Sequence, residues 1–74
     1  MNSKKEVLQK TGIVIEALPN AHFKIKIDGE EKEIMAHLAG KMKMYRIRVL
    51  PGDAVTVEMN SLNDNRGRII YRKK

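Results

Sequence analysis

Apolar side chains recur at every second position in short stretches along most of this chain, the pattern an extended strand with one buried face requires. Residues 21–27 show it most cleanly: Phe23, Ile25 and Ile27 fall on one face, His22, Lys24 and Lys26 on the other. Asp28-Gly29 follows as a turn signal. Residues 32–38 then alternate again with Ile34, Ala36 and Leu38 inward, so the two stretches read as a hairpin. Residues 53–59 place Val55, Val57 and Met59 inward with Thr56 and Glu58 outward, entered from a Pro51-Gly52-Asp53 turn. Residues 11–18 form a β-branched stretch with Ile13 and Ile15 on one face, stopped by Pro19-Asn20. The last stretch, 66–72, sets Ile69 and Tyr71 on one side and Arg68, Ile70 and Arg72 on the other.

Five short strands in 74 residues are too few for two separate sheets, and a small open sheet would leave unpaired edges. Closure removes the edges. The expected class is therefore all-β, a five-stranded OB-fold barrel, with a small SH3-like barrel as the structural alternative. Residues 40–46 break the alternation: Gly40-Lys41-Met42-Lys43-Met44 fits a short helical turn or a basic loop between the third and fourth strands. The asparagine-rich residues 60–65 read as a loop. No repeat or linker divides the chain, so residues 1–74 are expected as one domain with residues 1–5 and 73–74 frayed. There is no cysteine, no apolar run near the ~18 residues of a membrane span, and no apolar core in residues 1–10 that would make a signal peptide. The resulting expectation is a cytoplasmic monomer with no membrane contact.

The charge is sorted along the chain. Six lysines balance six acids in residues 1–37, so the whole net charge of +6 comes from residues 38–74, which hold all five arginines. Planar, weakly hydrated guanidinium groups suit phosphate and base stacking better than lysine does. A polyanion-facing side is one reading and a solvated, solubilising surface the other.

Catalytic chemistry finds little to work with. A nucleophile needs a base and an orienting group, yet the candidates are Ser3 in the tail and Ser61 in a loop. His22 and His37 stand alone on strands, short of the three or four ligands a zinc site takes. Gly40-Lys41 lacks the flanking pattern of a phosphate-binding loop. Asp28, Glu30, Glu31 and Glu33 cluster at a hairpin tip, where solvated charge is ordinary. The expectation is a non-enzyme without cofactor or metal.

The basic residues carry the functional reading. Lys41, Lys43, Arg46 and Arg48 put four cations into eight residues with no acid among them, and Arg66, Arg68, Arg72, Lys73 and Lys74 add five more. On a barrel the two groups can share a side and make several phosphate contacts. Gly67 either lets a partner's backbone approach or marks a β-bulge. Only Phe23, Tyr45 and Tyr71 are aromatic, and Phe23 shares a face with Ile25 and Ile27, so the stacking platform of a general single-strand binder is missing. A folded RNA, recognised by phosphates and shape, suits the residues better.

Taken together, Gly40-Lys41-Met42-Lys43, Ile47-Arg48-Val49-Leu50-Pro51-Gly52-Asp53, Val55-Thr56-Val57-Glu58 and Arg66-Gly67-Arg68-Ile69-Ile70-Tyr71-Arg72 resemble bacterial translation initiation factor 1. Gly12-Ile13-Val14-Ile15-Glu16 and Leu18-Pro19-Asn20 with Phe23 are similar to its first strands. The resemblance implies an OB-fold that binds the small ribosomal subunit at the aminoacyl-tRNA site, contacts ribosomal RNA of the decoding region and a neighbouring ribosomal protein, and assists the other initiation factors. It implies RNA-facing roles for Lys41, Lys43, Arg48, Arg66, Arg68 and Arg72, and for His37 before the Gly-Lys-Met motif. Arg46 stands where the family usually has an aromatic, and Tyr45, one place earlier, is the candidate for its stacking role. Leu62 replaces a common tyrosine, and the turn at residues 28–32 is one residue longer than usual. Two rival readings remain: a general single-stranded RNA chaperone of cold-shock type, and a protein-interaction module whose basic face takes an acidic partner.

Overall fold

A computed structural model describes residues 8–60 and 65–73. The expectations for residues 1–5, for Lys74 and for Leu62 fall on positions outside these. Strand β1 (Leu8–Leu18) leads through a tight turn (Pro19–Ala21) into β2 (His22–Ile27) and β3 (Glu33–Leu38). Helix α1 (Gly40–Met44), β4 (Ala54–Met59) and β5 (Arg66–Arg72) follow. The strands close into a barrel in the order β1-β2-β3-β5-β4, with β4 returning to β1. Every neighbouring pair is antiparallel except β3 with β5, which run parallel. The OB-fold expectation holds, with the helical form of the insertion.

The alternation fills the interior as period two requires. Phe23, Ile25 and Ile27 of β2, Ile34 and Ala36 of β3, and Val55, Val57 and Met59 of β4 are buried. Val14 and Ile69 complete the wall, while Met42 of α1 and Val49 join the same core and Leu38 packs against it half-exposed. Among the described residues no charged or polar side chain is buried, so burial of each large aliphatic group, worth about 1.5–3 kcal/mol, meets no desolvation cost from ionised groups. The turn at Pro51-Gly52 is fastened to β1: the Gly52 N–H donates to the Val14 carbonyl at 2.8 Å, and the Val14 N–H donates to the Asp53 carbonyl at 2.9 Å.

Two strands, β1 and β5, depart from simple alternation. β1 begins at Leu8, three residues before the apolar stretch, because its polar start pairs with β4 as far as Met59. Ile13 and Ile15 do share a face, but it is the outer one, and Gly12 and Val14 point inward. On β5, Val57 faces Ile69 while Thr56 faces Tyr71, so Ile70 is an extra residue in the ladder. That bulge reverses the phase, and Tyr71 lies exposed rather than beside Ile69. The bulge is thus at Ile70, and Gly67 stays in regular register with Ala36. A Cβ on Gly67 would stand 3.1 Å from both the Glu58 carbonyl oxygen and Ile34 Cδ1, so the barrel itself occupies the space a side chain would need. At Gly12 the crowding is greater: a Cβ would meet the Lys26 carbonyl oxygen at 2.5 Å.

Helix α1 ends in a motif that ordinarily takes glycine. The Ile47 N–H donates to the Met42 carbonyl and the Arg46 N–H to the Lys43 carbonyl, the paired bonds of a Schellman cap. The residue at its left-handed position is Arg46, with φ 55°. A side chain there costs about 1–2 kcal/mol. Arg46→Gly should therefore raise the thermal midpoint by several degrees, at about 4–8 °C per kcal/mol, whereas Gly12→Ala should cost about 1–3 kcal/mol of stability in urea titrations. An unchanged midpoint in the first variant would show that the arginine side chain offsets its own strain.

Candidate nucleic-acid interface

Residues in register on adjacent strands share a face of the sheet, and the barrel's register lines four outward side chains into a row. His22 on β2 stands opposite His37 on β3, His37 beside Arg68 on β5, and Arg68 opposite Glu58 on β4. Two residues earlier on the same parallel seam, Met35 is in register with Arg66. His37, Arg66 and Arg68 border an open groove of about 670 Å³ together with Glu58, Met59, Asn60, Gly67 and Asn65. The wall mixes apolar surface with two arginines and is open to solvent, so it does not enclose a small molecule.

Helix α1 packs on β3 and β5 and brings Lys43 into the electrostatic field of His37. Partial burial is the leading cause, and the neighbouring His22, Lys43 and Arg68 charges add to it, in holding the His37 imidazole below its ordinary value. A lowered value keeps this ring neutral at pH 7, so the cations here are the arginines and the lysine. Arg68 Nη2 donates to Glu58 Oε1. The guanidinium is half exposed and Glu58 is the more buried partner, so the pair adds little stability but aims Arg68 across the groove. Further along, Arg72 Nη1 donates to the Arg48 carbonyl, which ties the segment after α1 to β5.

The nine candidate residues therefore fall into three neighbourhoods. His37, Lys43, Arg66 and Arg68 gather at the β3–β5 seam. Arg48 and Arg72 meet further along β5. Lys41, Tyr45 and Arg46 are exposed on α1 and the turn after it, and among the described residues no side-chain hydrogen bond or ion pair ties them to the groove. The Tyr45 ring is 68% exposed and Tyr71 60%, while Phe23 is buried; the two accessible rings sit on different elements and form no continuous stacking platform. Sequence reasoning missed His22 and Glu58. Counting back from the hairpin bond of Ile27 N–H to the Lys32 carbonyl puts His22 opposite His37, but the sequence does not show which residues make that bond and so carried no signal for it. Glu58 beside Arg68 depends on the phase of β5 and had none. Among the described residues no group of three or more His, Asp or Glu side chains is placed to hold a metal ion, and no helix is long and apolar enough to cross a membrane.

Comparison with known proteins converges on one family. The sequence model of the translation initiation factor 1A / IF-1 family (eIF-1a) matches residues 1–74. The solution structure of translation initiation factor 1 from the Wolbachia endosymbiont strain TRS of Brugia malayi superposes with a TM-score of 0.74 at 41% identity, covering 92% of this chain and 79% of that one. YjeQ from Thermotoga maritima superposes with a TM-score of 0.73 over 90% of this chain and 23% of that one, but at 19% identity it is a likeness of fold alone.

Among the described residues Glu58 is the one carboxylate lining the groove. Glu58→Gln should release Arg68 and tighten binding of a labelled RNA several-fold at low salt, roughly 1 kcal/mol, as read by fluorescence anisotropy. Unchanged affinity would mean that the pair already opens at no cost.

Proposed function

The chain belongs to the translation initiation factor 1A / IF-1 family, and from that premise we propose that it binds the small ribosomal subunit at the aminoacyl-tRNA site, without catalysing a reaction. The observation that carries this reading is the β3–β5 seam, where His37, Arg66 and Arg68 share one groove within the field of Lys43. Cations spaced along parallel strands suit a phosphate backbone, and the groove they border is open to solvent. Lys41, Tyr45 and Arg46 on the α1 side, with Arg48 and Arg72 beyond, would widen the contact to a folded RNA. Ribosomal RNA of the decoding region, an adjacent ribosomal protein and the other initiation factors are the proposed partners, and the cytoplasm the proposed compartment.

The scarcity of exposed rings is what disfavours a general single-strand chaperone. Binding to purified small subunits, measured across about 50–200 mM salt with excess unstructured RNA as competitor, separates the two. The double variant Arg66→Glu/Arg68→Glu should lose affinity by about a hundredfold and flatten the salt slope by about two, with its circular dichroism unchanged. Retained affinity would remove the seam from the binding site, and abolition of wild-type binding by the competitor would move the function to general RNA binding.

A further inference from the structure

His22 lies outside every residue assigned so far, yet it is in register with His37 across β2 and β3, and the two rings stand 6.3 Å apart between centroids at 58°. Both belong to the outward row that continues through Arg68 to Glu58. His22 Nδ1 is 3.3 Å from the Pro19 carbonyl oxygen. The tautomer with its hydrogen on Nδ1 donates to that carbonyl and leaves Nε2 as the atom that gains a proton. The turn that supplies the carbonyl is itself unusual, with Asn20 and Ala21 both in the left-handed region at φ 63° and 60°.

We propose that His22 and His37 form a proton-coupled phosphate subsite at the β2 end of the groove, two imidazoles that take up protons as a phosphodiester of bound RNA settles between them. The proposal rests on the RNA-binding reading above and adds to it a residue and a coupling. Its charge environment decides the sign. Lys43 from α1 and Arg68 from β5 face His37, and each imidazole faces the other. Lys24 lies two residues along β2, in a long ion pair with Glu16 of β1 at 3.8 Å, and Glu33 stands four residues back on β3. Arg68 is partly neutralised by Glu58. In the free protein partial burial and the neighbouring His22, Lys43 and Arg68 charges disfavour the charged form of His37. A phosphate anion between the rings reverses that balance and favours the imidazolium form. Binding then carries protons onto the protein, and affinity must rise as pH falls towards the imidazole range. No bond beyond the N–H to oxygen hydrogen bonds is formed, and the protons come from solvent.

The test titrates the histidine ring resonances by NMR in the free protein and with a duplex RNA oligonucleotide, and measures small-subunit binding at about pH 8 and about pH 6 at constant ionic strength. With RNA present, both rings should titrate at higher pH than in the free protein. Wild-type affinity should rise by up to about tenfold per pH unit for each proton taken up. His22→Gln, which lies outside the groove lining, should reduce that slope while leaving affinity at about pH 8 nearly unchanged, and His37→Gln should reduce the slope whatever its effect on affinity at that pH. Ring titrations that RNA does not move, or equal slopes in wild type and variants, would overturn the subsite. Loss of small-subunit binding at about pH 8 together with rings that still respond to RNA would instead overturn the ribosomal reading and leave the subsite standing.

Discussion

The parallel pairing of β3 with β5 is the constraint on which the rest of this molecule depends. Four of the five strand contacts are antiparallel and could exist in an open sheet. Only the β3–β5 seam, which sets Met35 beside Arg66 and Leu38 beside Ile69, turns that sheet into a barrel with no free edge. The same seam builds the cationic groove, since His37 and Arg68 meet nowhere else. Parallel strands need a long crossover, and here it consists of α1, β4 and their turns. The helix is therefore part of the closure. Met42 enters the core while Lys41 and Lys43 remain outside.

How much of this was legible depended on whether a residue's surroundings are set by its own strand or by its neighbour's register. Val55, Val57 and Met59, or Phe23, Ile25 and Ile27, reveal their burial through spacing alone, because one strand's pleat decides it. Ile13 and Ile15 look like core by composition, but the strand's inward phase belongs to Gly12 and Val14, where contact with β2 leaves no room for a side chain at residue 12. Tyr71 was misplaced because one extra residue, Ile70, changes the phase, and a bulge of that kind leaves no mark in a pattern of apolar letters. The clustering of arginines in the second half of the chain pointed to β5, where Arg66 and Arg68 line the groove. That Glu58 would sit among them, and His22 at its end, required the register.

Arg46 and Glu58 carry opposite costs in the same region. Arg46 occupies a left-handed position at the expense of stability, and it places a cation on the turn after α1. Glu58 puts a carboxylate where a polyanion would meet it, and it fixes the geometry of Arg68. A surface optimised only for affinity would keep the Arg46 cation and dispense with the Glu58 carboxylate. If the groove takes RNA as proposed, Glu58 serves selectivity, since an oriented, partly neutralised arginine discriminates by geometry more than a free one does.

The seam also has a consequence for the order of folding. β1, β2 and β3 are joined by short turns and can pair as soon as they are synthesised, but β5 must find β3 across the whole span of α1 and β4. Contacts so distant in sequence form late, after loop-closure entropy has been met. Until that step the arginines of β5 and the histidine of β3 belong to separate parts of the chain. A partly folded molecule without the β3–β5 pairing thus has no groove to offer.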